Sequence, residues 1–179
     1  MAEMGADVQR VEFKQRPDPM RKTAPRFYSN LNRRKSDIVL DLSAPDDRAH
    51  LRAAVLKSDI VITSARPRAF EMLDLTPISV FAAKPDLVWC AINGYGWTGV
   101  DASRVAFGDD AAAAGGLLRW TANGVPNFVG DALSDPVTGM AAAIGCLNGL
   151  IAGGGMIVDA SLARCAAGAA VISGLREGA

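Results

Sequence analysis

The sequence has one histidine and three cysteines, Cys90, Cys146 and Cys165, which lie far apart in apolar surroundings. It contains no Cys-x-x-Cys pair, so it lacks the ligand spacing of a conventional zinc site, and we expect no metal site. Dispersed cysteines in an odd number are typical of reduced core thiols, which favours a cytoplasmic protein. The single histidine, His50, falls within a predicted charged helix, which disfavours catalysis by a Ser-His or Cys-His pair.

The chain also lacks an excess of charge of either sign. It has 19 Lys plus Arg residues and 19 Asp plus Glu residues, which argues against nucleic acid or a membrane surface as the main partner. No signal-peptide pattern opens the sequence, so we expect no secretory leader. The longest apolar stretch, residues 140–156, is rich in Ala and Gly and contains Asn148, which favours a buried helix and turn over a membrane span.

The sequence does contain an alternation of short apolar runs with helical patterns. These runs predict strands at residues 8–13, 38–42, 59–63, 87–92 and 156–160. Helices are predicted at residues 45–57, 77–83, 110–118 and 136–151. A last helix is predicted to begin after Ser161, which would cap it. Residues 14–36, with three prolines, are predicted to form a long loop. The order indicates an α/β fold with βαβ units and a parallel sheet. Ligands bind beyond the carboxyl ends of such strands, which points to residues 64–68 and 93–99.

Gly94, Gly96 and Gly99 form a literal G-x-G-x-x-G after the predicted strand at residues 87–92. In a dinucleotide-binding fold this pattern opens directly into a helix. Here Gly99 is followed by Val-Asp-Ala-Ser-Arg, which predicts no helix, so we favour a tight loop at the ligand edge. A nicotinamide-dependent oxidoreductase stays as an alternative.

Two features admit both a structural and a functional interpretation. The first feature is a segment rich in basic residues, which is either a solvated loop or a binding site for an anion. Its basic residues are Arg21, Lys22, Arg26, Arg33, Arg34 and Lys35. Asp135 stands just before Pro136 and a predicted helix. Its carboxylate either caps the first turn, or is held in its charged form by the helix N-terminus as a nucleophile for a thioester carbonyl.

Several stretches, taken in order, resemble segments of the class III CoA-transferases, the family that includes carnitine CoA-transferase, formyl-CoA transferase and the α-methylacyl-CoA racemases. They lie at residues 1–12, 18–21, 32–42, 65–68, 91–99, 134–140 and 156–162, and cover nearly the whole chain. Asp18-Pro-Met-Arg21, for example, is similar to the family's G-D-P-M-R. Ser134-Asp-Pro-Val-Thr-Gly-Met140 is similar to its A-D-L-A-A-G-L.

The resemblance implies a mechanism and a site. The family's aspartate attacks an acyl-CoA to give an aspartyl anhydride and then an aspartyl-CoA thioester, from which an incoming carboxylic acid takes over the CoA. By register Asp135 is that aspartate, with Asp131 as the fallback. Lys35 and Arg66 match basic residues that would face the CoA phosphates or adenine. The loop that would approach the thioester through small residues and backbone amides consists of Asn93, Gly94, Tyr95 and Gly96.

The resemblance also implies how the chain is organised. It corresponds to part of the family's large domain, a doubly wound, Rossmann-like parallel sheet. Residues 1–104 would be the βαβ CoA-binding part, and residues 105–179 would carry the catalytic-aspartate helix, a strand and a final helix. The family's first strand would lie before Met1 and its smaller domain after Ala179, so we expect a fragment truncated at both ends. Family members form interlocked dimers, which implies a second copy or a complementing chain as partner.

Two alternatives to the transferase stay open. An α-methylacyl-CoA racemase needs a histidine opposite the aspartate, and the corresponding residues 105–110 contain none, which favours CoA transfer over racemisation. A truncated chain would otherwise serve as a non-catalytic CoA-binding or assembly module.

Overall fold

The computed structural model describes residues 1–175, and the chain divides into two compact units, Met1–Val55 and Leu56–Ala179. In the first unit, β1 (Val8–Phe13) and β2 (Lys35–Leu40) pair in parallel. The helices that begin in this unit are α1 (Met20–Thr23), α2 (Pro25–Asn32) and α3 (Pro45–Lys57). A 3₁₀ turn at Ala2–Met4 ends at Gly5, whose φ of 95° is the left-handed stop that glycine favours.

Sequence patterns located β1 and α3 at their predicted residues, 8–13 and 45–57. β2 begins at Lys35 rather than at residue 38. The prediction of a loop over residues 14–36 was wrong, because α1 and α2 lie within that range. Pro25 accounts for much of the error: its fixed φ and missing amide hydrogen suit the first turn of a helix, so this proline starts α2 instead of marking a loop.

The buried side chain of Glu12 links β1 to α1 and β2. One of its carboxylate oxygens lies 2.6 Å from Nη2 of both Arg10 and Arg21, and Arg21 reaches on to Asp37 at 2.8 Å. Hydrogen bonds from Arg21 and from the backbone amide of Asp18 lower the pKa of Glu12 from its ordinary 4.5 to about 2. Arg21, one of the crowded cations, is therefore a structural residue of the first unit.

The second unit is built around a parallel sheet in the order β3 (Ile60–Thr63), β4 (Val88–Asn93), β7 (Met156–Ser161). The central strand, β4, is fully buried over residues 88–91. A small antiparallel pair is formed by β5 (Leu118–Trp120) and β6 (Pro126–Phe128). The helices are α4 (Pro67–Glu71), α5 (Pro77–Ala83), α6 (Gly108–Ala114), α7 (Ser134–Ile151) and α8 (Leu162–Ile172).

The long helix α7 lies close against β4 and β7 because two of its glycines face these strands. A Cβ atom at Gly145 would lie 2.7 Å from Cγ1 of Val158, and one at Gly149 would lie 3.1 Å from Cγ2 of Val88 and 3.3 Å from Sδ of Met156. The later glycine thus meets the beginnings of both strands, while the earlier one meets the middle of β7. It follows that α7 runs antiparallel to β4 and β7.

The predicted α/β class with parallel sheets is confirmed. The helix predicted at residues 77–83 and the cap of α8 are also confirmed, since Oγ of Ser161 accepts a hydrogen bond from the amide of Arg164. The patterns missed α4, which has 5 residues, because so short an element holds too little of a periodic pattern to be recognised. The helix predicted at residues 110–118 is α6, which ends at Ala114, and the last predicted residue, Leu118, begins β5 instead. Of the three free cysteines, Cys90 and Cys146 are buried, and Cys165 is half-buried.

Candidate active site

The strands of the second unit's sheet end together at one edge. Asn93, the last residue of β4, lies opposite Ser161, the last residue of β7, and β3 runs parallel beside β4. Because α7 runs antiparallel to these strands, its first turn points to the same edge. Arg66, which follows β3, the loop after Asn93 and the first-turn residue Asp135 therefore all belong to the carboxyl edge, where ligands of parallel sheets bind.

Asp135 is the second residue of α7 and is exposed. Its interpretation as a helix cap is wrong: α7 begins at Ser134, the N-cap position is occupied by Leu133, and no side chain accepts a hydrogen bond there. The backbone amide of Asp135 donates to the carbonyl oxygen of Ala132 at 2.9 Å. Its carboxylate is therefore not engaged in capping the helix.

Two influences raise the pKa of Asp135. The larger is partial desolvation of the carboxyl group, and the second is the negative charge of Asp109. The positive end of α7 acts in the opposite direction. These two influences outweigh the expected effect of the helix N-terminus in favouring the charged form of Asp135, because the net pKa shift is upward. A raised pKa makes a carboxylate a stronger base, and in its ionised form a better nucleophile.

The turn that precedes α7 is hydrogen-bonded to the first residues of α6. Oδ1 of Asp109 accepts a hydrogen bond from the amide of Ala132 at 2.8 Å, and the buried hydroxyl of Ser134 donates to the carbonyl oxygen of Gly108 at 2.6 Å. A Cβ atom at Gly108 would lie 2.6 Å from Cβ of Ala132, so this close approach requires glycine. Two adjacent residues of α6 thus fix the turn that leads into Asp135.

The loop after β4 is organised by Asp159 of β7. Oδ1 of Asp159 accepts hydrogen bonds from Nδ2 of Asn93 at 2.8 Å and from the amide of Trp97 at 3.0 Å, and Oδ2 accepts one from Arg164 at 2.6 Å. Oδ1 of Asn93 in turn accepts a hydrogen bond from the amide of Gly96. Gly96 has a φ of 127°, which side-chain-bearing residues rarely adopt. The predicted thioester-facing loop is therefore held by the neighbouring strand.

The other two residues of this loop, Gly94 and Tyr95, also make contacts with neighbouring residues. The carbonyl oxygen of Gly94 accepts hydrogen bonds from Oγ of Ser161 at 3.2 Å and from the amide of Ala163 at 3.0 Å. The guanidinium of Arg104 lies 4.3 Å from the centre of the Tyr95 ring, within the range of a cation–π contact.

The G-x-G-x-x-G pattern does not open a helix. After Gly99 the chain forms turns, and the next helix, α6, begins at Gly108 and has 7 residues. A dinucleotide-binding turn needs a helix N-terminus directly behind its glycines to receive the pyrophosphate. The structure therefore disfavours the nicotinamide alternative.

The other predicted site residues are exposed. Lys35 opens β2 in the first unit, and its Nζ donates to Oδ1 of Asn32 at 3.2 Å. Arg66 immediately precedes α4 in the second unit, and Asp131 lies in the turn before α7. All three are accessible to a solute, and their roles stay predictions.

Sequence reasoning did not identify the roles of Asp159 and Asp109. For Asp159 a signal was present, because a charged residue inside an otherwise apolar strand is seldom placed there without partners. For Asp109 there was none, because the adjacent Asp110 has the same chemistry. Within residues 1–175, no group of three or more His, Cys, Asp or Glu side chains is arranged to hold a metal ion. No helix in that range is both long and apolar enough to cross a membrane.

Residues 1–173 match the model of the family described as CoA-transferase family III. The chain belongs to this family. Among curated members, a succinyl-CoA–D-citramalate CoA-transferase of Chloroflexus aurantiacus is 30% identical over 172 residues, covering 89% of this chain and 43% of that protein. A human succinyl-CoA:glutarate CoA-transferase is 27% identical over 175 residues, covering 90% of this chain and 40% of that protein.

Solved structures agree with this membership. A CAIB/BAIF family protein from Brucella suis is 27% identical with a TM-score of 0.85, and the match covers 96% of this chain and 50% of that one. A Mycobacterium tuberculosis structure, with a TM-score of 0.84 at 24% identity and the same coverage, supports the fold alone. This family III chain spans between 40% and 50% of the length of these relatives.

Proposed function

We propose that this chain is part of a CoA-transferase that moves CoA from an acyl-CoA to a free carboxylate, with Asp135 as the nucleophile. Family membership supports the reaction class. The observation that carries the assignment is the position of Asp135, whose exposed carboxylate lies in the first turn of an 18-residue helix at the ligand edge of a parallel sheet. No capping contact competes for that carboxylate.

The proposed reaction uses one carboxylate twice. An oxygen of Asp135 attacks the thioester carbonyl carbon, the carbon–sulfur bond breaks, and CoA leaves as a thiolate while a mixed anhydride forms. The thiolate then attacks the aspartyl carbonyl, which releases the donor acid as a carboxylate and leaves an aspartyl-CoA thioester. An incoming carboxylate attacks this thioester, and the same two steps in reverse give a new acyl-CoA and free Asp135. No proton or electron is consumed overall.

In this scheme the loop after β4 contributes a fixed backbone geometry. The amides of Gly96 and Trp97 are already bonded to Asn93 and Asp159, so these two amides are not the donors for the developing oxyanion. Gly94 and Gly96 are buried, and a Cβ atom would lie 2.8 Å from Cβ of Ala106 at the first position and 2.5 Å from Nη2 of Arg164 at the second, so glycine allows the loop to fold this tightly. Because this loop follows β4 at the carboxyl edge of the sheet, the proposal places the thioester end of the substrate beside residues 93–96.

In the same proposal, residues 1–104 bind CoA and residues 105–179 carry the nucleophile. Lys35 and Arg66 would bind phosphate groups of CoA, since ammonium and guanidinium groups form charge-assisted hydrogen bonds with phosphate oxygens. The proposal includes a cytoplasmic location and a second copy or a complementing chain as partner. A complementing chain, unlike a second copy, would supply the parts of the relatives that this chain does not match.

The relatives' names suggest which substrates to test first. Succinyl-CoA appears in the names of the Chloroflexus and human relatives and of a mesaconate CoA-transferase from Haloarcula hispanica. The acids in those names, citramalate, glutarate and mesaconate, are all dicarboxylates. We therefore propose succinyl-CoA as donor and a dicarboxylate as acceptor.

The test is chemical trapping of the acyl-enzyme. The protein is incubated with succinyl-CoA and hydroxylamine, and peptide mass spectrometry should find a hydroxamate at Asp135. Asp135→Ala should abolish transfer of label from succinyl-CoA to a dicarboxylate, while the matched control Asp131→Ala should retain it. An active Asp135→Ala variant, or a hydroxamate at Asp131 instead, would overturn the assignment.

Two other outcomes correspond to the alternatives. CoA binding by calorimetry without any exchange of label would indicate a non-catalytic binding or assembly module, an outcome that the partial length of the chain makes worth testing. Exchange of solvent deuterium at the carbon next to the thioester would indicate a racemase. The racemase is the weaker candidate because residues 105–110 supply no histidine as a second base.

A further inference from the structure

We propose that Asp109 is the positioning residue of the candidate active site: its side chain fixes Ala132, and through Ala132 the first turn of α7 that carries Asp135. The inference rests on the proposed role of Asp135, but it concerns a different side chain and is tested by a different measurement. Asp109 itself forms no covalent bond in the reaction.

Asp109 reaches Asp135 through two successive hydrogen bonds. Its Oδ1 accepts the amide hydrogen of Ala132 at 2.8 Å, and the carbonyl oxygen of Ala132 accepts the amide hydrogen of Asp135 at 2.9 Å. In parallel, Oγ of Ser134 donates to the carbonyl oxygen of Gly108 at 2.6 Å. Movement of the Asp109 side chain would therefore be passed directly to the peptide group of Asp135.

The turn at Ala132 needs such support. Ala132 has a φ of 46°, in the left-handed region. This conformation is unfavourable for an L-residue because it brings Cβ close to the following carbonyl oxygen. A hydrogen bond to a charged acceptor is stronger than one between neutral groups, so the bond from Ala132 to Asp109 helps to hold the turn. The close approach of Gly108, where a Cβ atom would lie 2.8 Å from the carbonyl oxygen of Ala132, leaves little room for another arrangement.

Asp109 also brings a charge to the site. After partial desolvation, the negative charge of Asp109 is the second cause of the raised pKa of Asp135. The neighbouring Asp110 is used differently, because its Oδ2 accepts the amide hydrogen of Phe107 at 3.2 Å, at the start of the same helix. Asp109 and Asp110 are therefore a matched pair, in which one residue is coupled to Asp135 and the other is not.

The two effects of Asp109 are separable by substitution. In Asp109→Asn the amide oxygen can still accept the hydrogen bond from Ala132, but the negative charge is gone. The pKa of Asp135 should then fall, and the acid limb of the pH–rate profile should move to lower pH, with the plateau rate within about threefold of wild type. In Asp109→Ala both effects are lost, and we expect kcat to fall by about 10- to 100-fold because the nucleophile is misplaced.

The experiment measures the carboxyl carbon of Asp135 by NMR in protein labelled with ¹³C-aspartate, with Asp135→Asn used to assign the signal. Wild type, Asp109→Asn, Asp109→Ala and the control Asp110→Asn are titrated, and transfer rates are measured alongside. The inference is supported if both Asp109 variants lower the pKa of Asp135, Asp110→Asn does not, and only Asp109→Ala loses rate. It is overturned if the pKa of Asp135 is unchanged in both Asp109 variants, or if Asp109→Ala is as active as Asp109→Asn. Should no variant or wild type transfer CoA while the titration shifts appear, the coupling stands and the proposed function fails.

Discussion

Nδ2 of Asn93 donates a 2.8 Å hydrogen bond to Oδ1 of Asp159, which joins the end of β4 to the adjacent strand β7 across 66 residues of sequence. The same oxygen accepts the amide hydrogen of Trp97. Both ends of the loop at residues 93–97 therefore depend on one carboxylate. This carboxylate takes no part in the proposed chemistry, so its contribution is the geometry of the loop.

Asp159→Ala should disorganise this loop while leaving Asp135 in place. We expect kcat/KM for succinyl-CoA to fall by about 100-fold, because a catalytic geometry that is off by about 1 Å costs a factor of this size. Steady-state kinetics measures the effect, and circular dichroism establishes that the variant is folded. Asp159→Asn should lie between wild type and Asp159→Ala, since its amide oxygen can still accept hydrogen bonds from the loop.

The control for Asp159 is Arg164→Ala. Arg164 bonds to the other oxygen of Asp159 and lies beside Gly96, but its side chain is 64% exposed, so its ion pair is screened by solvent. Its removal should change kcat/KM by no more than about twofold. If Arg164→Ala and Asp159→Ala have the same effect, the loop is not organised by the bonds from Asn93 and Trp97.

The parts of this fold that could be predicted from sequence are those with local causes. Helix α3 has a long helical pattern and was found at its predicted bounds, and α8 is capped by the predicted Ser161. Where a local signal had two meanings, the prediction failed. Pro25 suits both a loop and the first turn of a helix, and Asp135 suits both an N-cap and a position within the first turn.

The candidate site was only partly predictable, because its supporting contacts join residues far apart in the chain. Asp109 binds Ala132 across 23 residues, and Asp159 binds Trp97 across 62. Neither partner can be deduced from spacing, since each depends on how α7 and β7 pack in three dimensions. The resemblance to a family could assign Asp135, but it could not show which side chains hold it.

Glu12→Gln should destabilise the first unit. The substitution leaves Arg10 and Arg21 facing a neutral amide in a half-buried setting. Removing one partner of a fully buried pair costs about 3–5 kcal/mol, and we expect roughly 2 kcal/mol here because both guanidinium groups are partly exposed. Urea unfolding followed by circular dichroism measures it. Glu3→Gln, which removes exposed ion pairs with Arg33 and Arg34, should leave the free energy of unfolding unchanged.

The same network predicts a pH dependence of stability. The pKa of Glu12 is lowered from 4.5 to about 2 by its arginine partners, so the folded state favours the ionised form. The resulting stabilisation is fully present above pH 4.5 and is lost as the pH falls towards 2. In Glu12→Gln, the free energy of unfolding should therefore change less steeply across this window. An equally steep change in both proteins would mean that other carboxylates dominate.

Gly154→Ala should destabilise the second unit. Gly154 lies in the turn between α7 and β7 with a φ of 77°, and a Cβ atom there would lie 1.7 Å from the carbonyl oxygen of Asp86. We expect a loss of more than about 2 kcal/mol from strain and overlap together. Gly168→Ala is the control: Gly168 lies inside α8 with nothing within 4 Å of a new Cβ atom, so a gain of about 0.5–1 kcal/mol is expected. The three tryptophans, Trp89, Trp97 and Trp120, all lie in the second unit, so their fluorescence during urea unfolding reports on it.

Arg66→Ala should weaken the binding of acyl-CoA without changing the chemistry. If the guanidinium binds a phosphate of CoA, its loss should raise KM about tenfold, the equivalent of ~1.4 kcal/mol, with kcat unchanged. Arg68→Ala is the matched control, because Arg68 is an exposed arginine of the adjacent helix α4 and carries the same charge. A tenfold rise in KM for Arg66→Ala alone would identify a specific contact. Equal rises for both variants would mean that only the general positive charge of this surface attracts CoA, and Arg66 would lose its assigned role.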